Sequence, residues 1–188
     1  EQVDEAEPTW PPWTQGVSAD YFSVRDWDVE SGALFGPRDD EQANRVALIG
    51  KTVAENLFGY GEDPVGATIR VKGVPFRVIG VMRRKGQTSW GQDQDDVVVI
   101  PFATAERRVL GSEILGTVDM VFVSATRAED VLLATEQIST LLRQRHRIVA
   151  GADDDFTVRN LNEMAMAQES ASRVLAMLLL CVALISLL

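Results

Sequence analysis

Cysteine is all but missing from this sequence. Cys181 is the one copy, so no disulfide can form within the chain, and its position in an apolar tail removes it from any exposed chemistry. Histidine is equally scarce: His146 stands alone, among arginines at an expected helix end, an ordinary surface place. With one histidine and one cysteine in an apolar tail, a Ser/His/Asp triad, a Cys/His pair or a multi-histidine zinc site cannot be assembled within this chain. Carboxylates are plentiful, yet no paired spacing among them points to a carboxylate mechanism. Basic residues are outnumbered, 18 Lys and Arg against 28 Asp and Glu, for a net charge of −10 and a pI near 4.6. Residues 1–45 hold eleven of those acids (Glu1, Asp4, Glu5, Glu7, Asp20, Asp26, Asp28, Glu30, Asp39, Asp40, Glu41) against Arg25, Arg38 and Arg45. Such a surface repels phosphate backbones and anionic lipid heads, which excludes nucleic acid as a partner. There is no internal repeat and no low-complexity run.

What is present is ordinary globular material. The 188 residues are 46% apolar and 24% charged, enough for one domain or two small ones with a real core. The chain starts at Glu1 and ends inside an apolar run, as a piece of a longer protein would. That run, Val174–Leu188 (VLAMLLLCVALISLL), carries no charge. Its 15 residues rise about 22 Å as a helix, short of the ~30 Å of a bilayer core. A buried core helix is the alternative, but the run is apolar on every side and lacks the polar stripe of a surface helix. It stands at the wrong end for a signal peptide. The reading is a transmembrane helix, truncated, over 172–188.

Along the chain, Pro8, Pro11 and Pro12 with Trp10 and Trp13 make residues 1–16 an extended or edge segment. Ser18 is placed to cap a turn over Asp20–Val24, and Ser31-Gly32 punctuates the stretch after it. Arg45–Ile49 reads as a buried strand, and Thr52-x-x-Glu55 as a capping box opening a helix to Phe58. Thr68–Val71 and Pro75–Val81 alternate around Lys72-Gly73, which predicts a β-hairpin. Asp96–Phe102 is a further strand, and Thr104 starts a short helix to about Leu110. After a composition break at 111–117, Val118–Ser124 reads as a strand. Thr126-x-x-Glu129 reads as a second capping box, opening a helix to about His146. Phe156–Arg159 is an expected strand, and Asn160-x-x-Glu163 a third cap whose helix meets no breaker before Leu188.

Three motifs invite chemistry. Gly50-Lys51-Thr52 between a strand and a helix looks like the end of a phosphate-binding loop, but that loop needs a glycine where Arg45 stands. Without it the backbone amides cannot wrap a phosphate, and Thr52 is better explained as a helix cap. Asp93-x-Asp95 begins a calcium-loop pattern, yet Val97 occupies the place of the third acid, which favours a solvated loop. The loop Lys85–Asp93 (KGQTSWGQD) is polar and glycine-flanked around Trp90, a composition suited to a protein contact. Trp90, Gln92 and Asp93 are the candidate partner-contact residues; Trp90 folding back on the core is the alternative. Trp10, Trp13 and Trp27 read as core or edge packing.

Taken together, GVSADYFSVRDWDVESGALF, RVALIGKTVAENLFGYGEDPVGATIRVKGVPFRVIGVM, KGQTSWGQDQDDVVVIPF and DDDFTVRNLNEM running into an apolar helix resemble the periplasmic core domain of MacB-type ABC transporter permeases. Those belong with the FtsX and lipoprotein-release permeases. The resemblance spans about residues 16–188. It implies an α+β, two-lobed extracytoplasmic domain. Residues 1–112 would form the inserted Sabre-like lobe and 117–165 the second half of a βαβ Porter-like lobe. Residues 172–188 would begin the second of four membrane helices. The first membrane helix and Porter's first half have no counterpart here.

The implied work is mechanotransmission, in which a cytoplasmic ATPase drives the membrane helices and these move the outer domain. The implied partners are an ABC nucleotide-binding domain, a periplasmic adaptor, a second permease copy and the lipid bilayer. The implied place is the bacterial inner membrane, and the implied role is non-catalytic, with no cofactor in the chain itself. Two other classes share parts of the pattern. A membrane-anchored sensor or binding domain would have one span and then a further module, and a soluble enzyme would bury the C-terminal helix.

Overall fold

The computed structural model describes residues 13–88, 91–109, 118–149, 151–160, 172–173 and 176–179. The chain divides into two units, Glu1–Val123 and Ser124–Leu188. The first is built on a mixed sheet of six strands: β1 (Trp13–Val17), β2 (Val29–Gly32), β3 (Val46–Ile49), β4 (Thr68–Val71), β5 (Val74–Met82) and β6 (Val97–Pro101). Their order is β1-β6-β3-β5-β2, with β4 also on β5. Strand β5 is long enough to serve three neighbours. Its Val74–Arg77 stretch pairs with β4 and its Gly80–Met82 end with β2 on the same edge, while β3 runs parallel along the other.

The strand sequences dictate this arrangement. All five residues of β6, VVVIP, are buried, so both faces of the sheet have to be covered. On one side Ala47, Ile49, Val53, Ile69, Phe76, Val78, Val98 and Ile100 form a core under α3 (Lys51–Phe58). On the other, Leu48, Val97, Val99 and Met82 meet Phe22 of α1 (Tyr21–Val24), Trp27 of the turn after it and Phe35 from the segment following β2. Each large side chain buried this way stabilises the fold by roughly 1.5–3 kcal/mol. A regular β5 would put Val78 and Val81 on opposite faces. A bulge prevents this: Ala47 pairs with Val78 but Leu48 with Gly80, and the extra residue resets the phase so that both valines join one core. Gly80 suits the crowded site, since a Cβ there would lie 2.9 Å from the Ser31 carbonyl oxygen.

Several expected elements form as read: β3, the β4–β5 hairpin, β6 and α3. The hairpin turns on Lys72 and Gly73, both at positive φ (48° and 79°), the geometry of a two-residue type I′ turn. Strand β1 is an edge strand parallel to β6 with Trp13 62% exposed, whereas Trp27 is buried. Strand β2 and α2 (Pro37–Glu41) come in addition to the expected elements. In α2, Pro37 takes the first helical position and the Asp39 carboxylate accepts the Gly36 amide at 3.0 Å. Asp40 accepts the amide of Ala103 and the Thr104 hydroxyl donates to the Asn44 carbonyl, tying α2 to α4 (Phe102–Thr104). Thr104 therefore lies inside its helix, buried, and the chain continues as a π-turn over Ala105–Val109.

In the second unit a 3₁₀ turn, Ala128–Asp130, leads into α5 (Val131–Arg145), which ends where its arginines suggested. Arg143 pairs with Asp154 and donates to the Ala152 carbonyl at 3.1 Å, and His146 Nδ1 lies 2.8 Å from Asp155. The expected cap at Thr126 is not made. Arg127 is the capping residue by position, and its guanidinium pairs with Glu129 and Asp130. Neither 118–124 nor 156–159 forms a strand. A strand exists only where a neighbour completes its ladder, and no described strand lies beside either segment. Ser172, Arg173 and Ala176–Leu179 are helical. Most of the expected span 172–188 lies outside the described residues, and among those described no helix is long and apolar enough to cross a membrane.

Candidate partner-contact loop

The segment between β5 and β6 leaves the sheet at Arg83 and returns at Asp96, and it carries the sequence's candidate contact residues. Its base is fixed by Asp95, 3% exposed, whose two carboxylate oxygens accept the amides of Lys85 (2.7 Å) and Gly86 (2.8 Å). A buried carboxylate is costly unless its oxygens are met by donors, and here both are. Asp93 adds a second fastening. One oxygen accepts the Thr52 hydroxyl (2.7 Å) and the other the Asp95 amide (2.9 Å). Arg84 pairs with both oxygens of Glu55 on α3, at 2.7 and 2.8 Å. Higher in the loop Gln87 bridges to Asp93, and the Thr88 amide donates to the Gln92 carbonyl.

The other side of the base rests on the turn after α1. Trp27 Nε1 donates to the Arg83 carbonyl (2.7 Å). The Lys85 ammonium donates to the Arg25 carbonyl (2.8 Å) and lies 4.8 Å from the centre of the Trp27 ring. Contacts of that kind contribute about 0.5–2 kcal/mol. The pKa of Lys85 is lowered, chiefly by burial and then by the Arg25 charge, with Asp26 and Asp95 opposing. The loop is thus clamped at both ends and along α3, with Gln92 and Asp93 exposed. Trp90 lies outside the described residues.

This geometry explains the two false leads. Gly50 is needed for contact with the loop, since a Cβ on it would lie 2.1 Å from the Asp95 carbonyl oxygen. Lys51 pairs with Glu30 at 2.7 Å, and Thr52 serves Asp93. The phosphate-loop lookalike is therefore a joint between β3, α3 and this loop. The helix cap assigned to Thr52 is also corrected: Gly50 is the capping residue and Thr52 lies inside α3, so its hydroxyl faces Asp93. The expected solvated loop holds at Asp93, which is exposed, but not at Asp95, which is buried with its oxygens given to amides. Among the described residues no cluster of His, Cys, Asp and Glu could hold a metal ion. Asp95 and Arg25 lie outside the loop Lys85–Asp93 that the sequence points to, yet both belong to its base. The one signal that could have found Asp95 is its place at the foot of an entirely apolar strand.

Comparison with known proteins places this geometry. The model of the MacB-like periplasmic core domain matches residues 2–141. A macrolide export ATP-binding/permease protein MacB of Rhodospirillum rubrum is 41% identical over 180 residues, which are 96% of this chain and 25% of that protein. A pyoverdine export ATP-binding/permease protein PvdT of Pseudomonas syringae is 32% identical over 92% of this chain and 25% of its own length. The chain thus spans about a quarter of the curated relatives it matches. Among solved structures, the periplasmic region of MacB from Actinobacillus actinomycetemcomitans superposes with a TM-score of 0.61 at 23% identity, covering 83% of this chain and 64% of that one. The extracellular domain of the transporter YknZ from Gram-positive bacteria gives 0.57 at 23% identity, over 78% and 69%. At that identity the likeness speaks to the fold.

Proposed function

The chain belongs to the MacB-like periplasmic core domain family, within the FtsX-like permeases, and from that we propose that it is the outer domain of an ABC export permease which carries motion from a cytoplasmic ATPase to a periplasmic partner. Membership makes it a non-catalytic, extracytoplasmic domain of a transport-related family. The observation that carries the fuller reading is identity of 41% maintained over 96% of the chain with a protein named as an export ATP-binding/permease. In this reading residues 1–112 are the Sabre-like lobe, 117–165 the second half of the Porter-like lobe, and 172–188 the start of a membrane helix in a multi-pass inner-membrane protein. A fused or separate nucleotide-binding domain supplies ATP hydrolysis, a second copy completes a homodimer, and a periplasmic adaptor meets the loop bearing Trp90, Gln92 and Asp93. A loop clamped at its base by Asp95, Asp93 and Arg84 suits that task, because a pre-ordered surface loses little entropy on binding.

The test is to read the parent gene through both ends of the chain. The proposal expects one apolar span before Glu1 and two beyond the helix entered at 172. A single span followed by a polar module would make the domain a receptor and end the permease reading.

A further inference from the structure

Residues 118–123 close the first unit just before the boundary at Ser124, and Phe122 alone among them is not exposed. Its ring meets Tyr21 edge-on, with centroids 5.7 Å apart and planes at 72°. The Arg25 guanidinium carbon lies 4.8 Å from the Phe122 ring centre. Arg25 belongs equally to the base of the contact loop, because its carbonyl accepts the Lys85 ammonium. Lys85 in turn gives its amide to Asp95, the residue that also fastens Gly86. One residue therefore touches both the connector to the second unit and the first residues of the loop.

Two features mark Arg25 as the movable member. Its Nε is buried with no hydrogen-bond partner among the described residues, a deficit that a different seat for the guanidinium would repair. The next residue, Asp26, holds φ at 46° just past α1, where the Asp26 and Trp27 amides return to the Ser23 and Phe22 carbonyls at 3.4 and 2.9 Å, so the end of a helix of only four residues carries the Arg25 carbonyl.

We infer that Phe122, Arg25 and Lys85 form a mechanical latch through which the connector regulates the contact loop. With Phe122 seated, Arg25 is held against the ring and its carbonyl stays aimed at Lys85. When Phe122 withdraws, the guanidinium loses its ring and turns to satisfy Nε. The end of α1 loosens with it, and Lys85 is freed from the turn. The loop then loosens at Lys85 and Gly86 while the sheet beneath it stays intact. The regulatory meaning rests on the reading of this loop as a partner contact; the latch itself does not.

Hydrogen exchange on the full chain tests it. Phe122→Ala and Arg25→Met are each expected to speed exchange of the Lys85 and Gly86 amides about tenfold, with β5 and β6 unchanged. The double variant should exceed the larger single effect by little, because both break one path. Arg25→Met keeps Phe122 in place, so it carries the test if Phe122→Ala fails to fold. Val121→Ala, at an exposed neighbour, should leave the loop unaffected. Unchanged loop exchange in Arg25→Met, or an equal rise in Val121→Ala, overturns the latch. Capture of the adaptor encoded beside the parent gene separates the two claims. If the loop loosens and capture is indifferent both to that and to Trp90→Ala, the latch stands and the contact reading falls.

Discussion

Replacing Asp95 with asparagine is the sharpest perturbation of the loop, because it keeps shape and changes one atom. Both carboxylate oxygens now accept backbone amides, and the residue is 3% exposed, so water cannot substitute in place. Asparagine offers one oxygen; its NH₂ would face the other amide donor to donor. A hydrogen bond to a charged group contributes about 1.5–3 kcal/mol, and a buried donor left unmet costs about 1–3 kcal/mol. Part of this is recovered because a neutral side chain no longer has a buried charge to solvate. The net loss is about 2–4 kcal/mol. For a chain of 188 residues, each kcal/mol moves the melting point by roughly 2–4 °C, so Asp95→Asn should melt about 4–16 °C lower. The assay is thermal unfolding monitored by circular dichroism, with Asp153→Asn, at an exposed position outside any helix or strand, as the reference. A melting point within about 2 °C of that reference would refute the assigned role of Asp95.

The same contacts set other outcomes. Gly50→Ala keeps an allowed backbone (φ −70°) yet drives a Cβ to 2.1 Å from the Asp95 carbonyl oxygen, so chemical denaturation should reveal a loss of about 1–3 kcal/mol. Lys85 has a lowered pKa when folded, so between that value and ~10.4 the unfolded chain holds more protons and stability rises with pH. Relative to Lys85→Met, the wild-type chain should therefore gain stability as pH climbs through this alkaline window; a flat or falling difference in pH-dependent melts would contradict the burial assigned to its ammonium. Trp90→Ala should weaken capture of the adaptor while leaving the melting point within about 2 °C, and unchanged capture removes Trp90 from the contact.

How far the sequence could be read depended on what each element needs from elsewhere. The hairpin was legible because Lys72-Gly73 and the alternation around it are local causes. Likewise β3 and β6 announce their burial by continuous apolar runs. Strand β2 (VESG) has no such run, and its pairing is imposed by β5. Thr52 and Thr126 fit a capping pattern, but Gly50 and Arg127 take the capping positions; Thr52 is turned to Asp93 across the chain, and Arg127 pairs locally with Glu129 and Asp130. Val118–Ser124 has the composition of a strand and no partner among the described strands. The loop's polarity was visible, whereas the clamp by Asp95 depends on a carboxylate meeting amides nine and ten residues away, a pairing that no local pattern encodes.

The most direct test of the whole account is hydrogen exchange at the Lys85 and Gly86 amides in the intact transporter, with and without ATP. If the domain passes motion outward, protection at these two amides changes with nucleotide while β5 and β6 stay constant. If nucleotide alters exchange in the membrane helices and leaves the loop untouched, the domain does not relay the ATPase cycle to this surface.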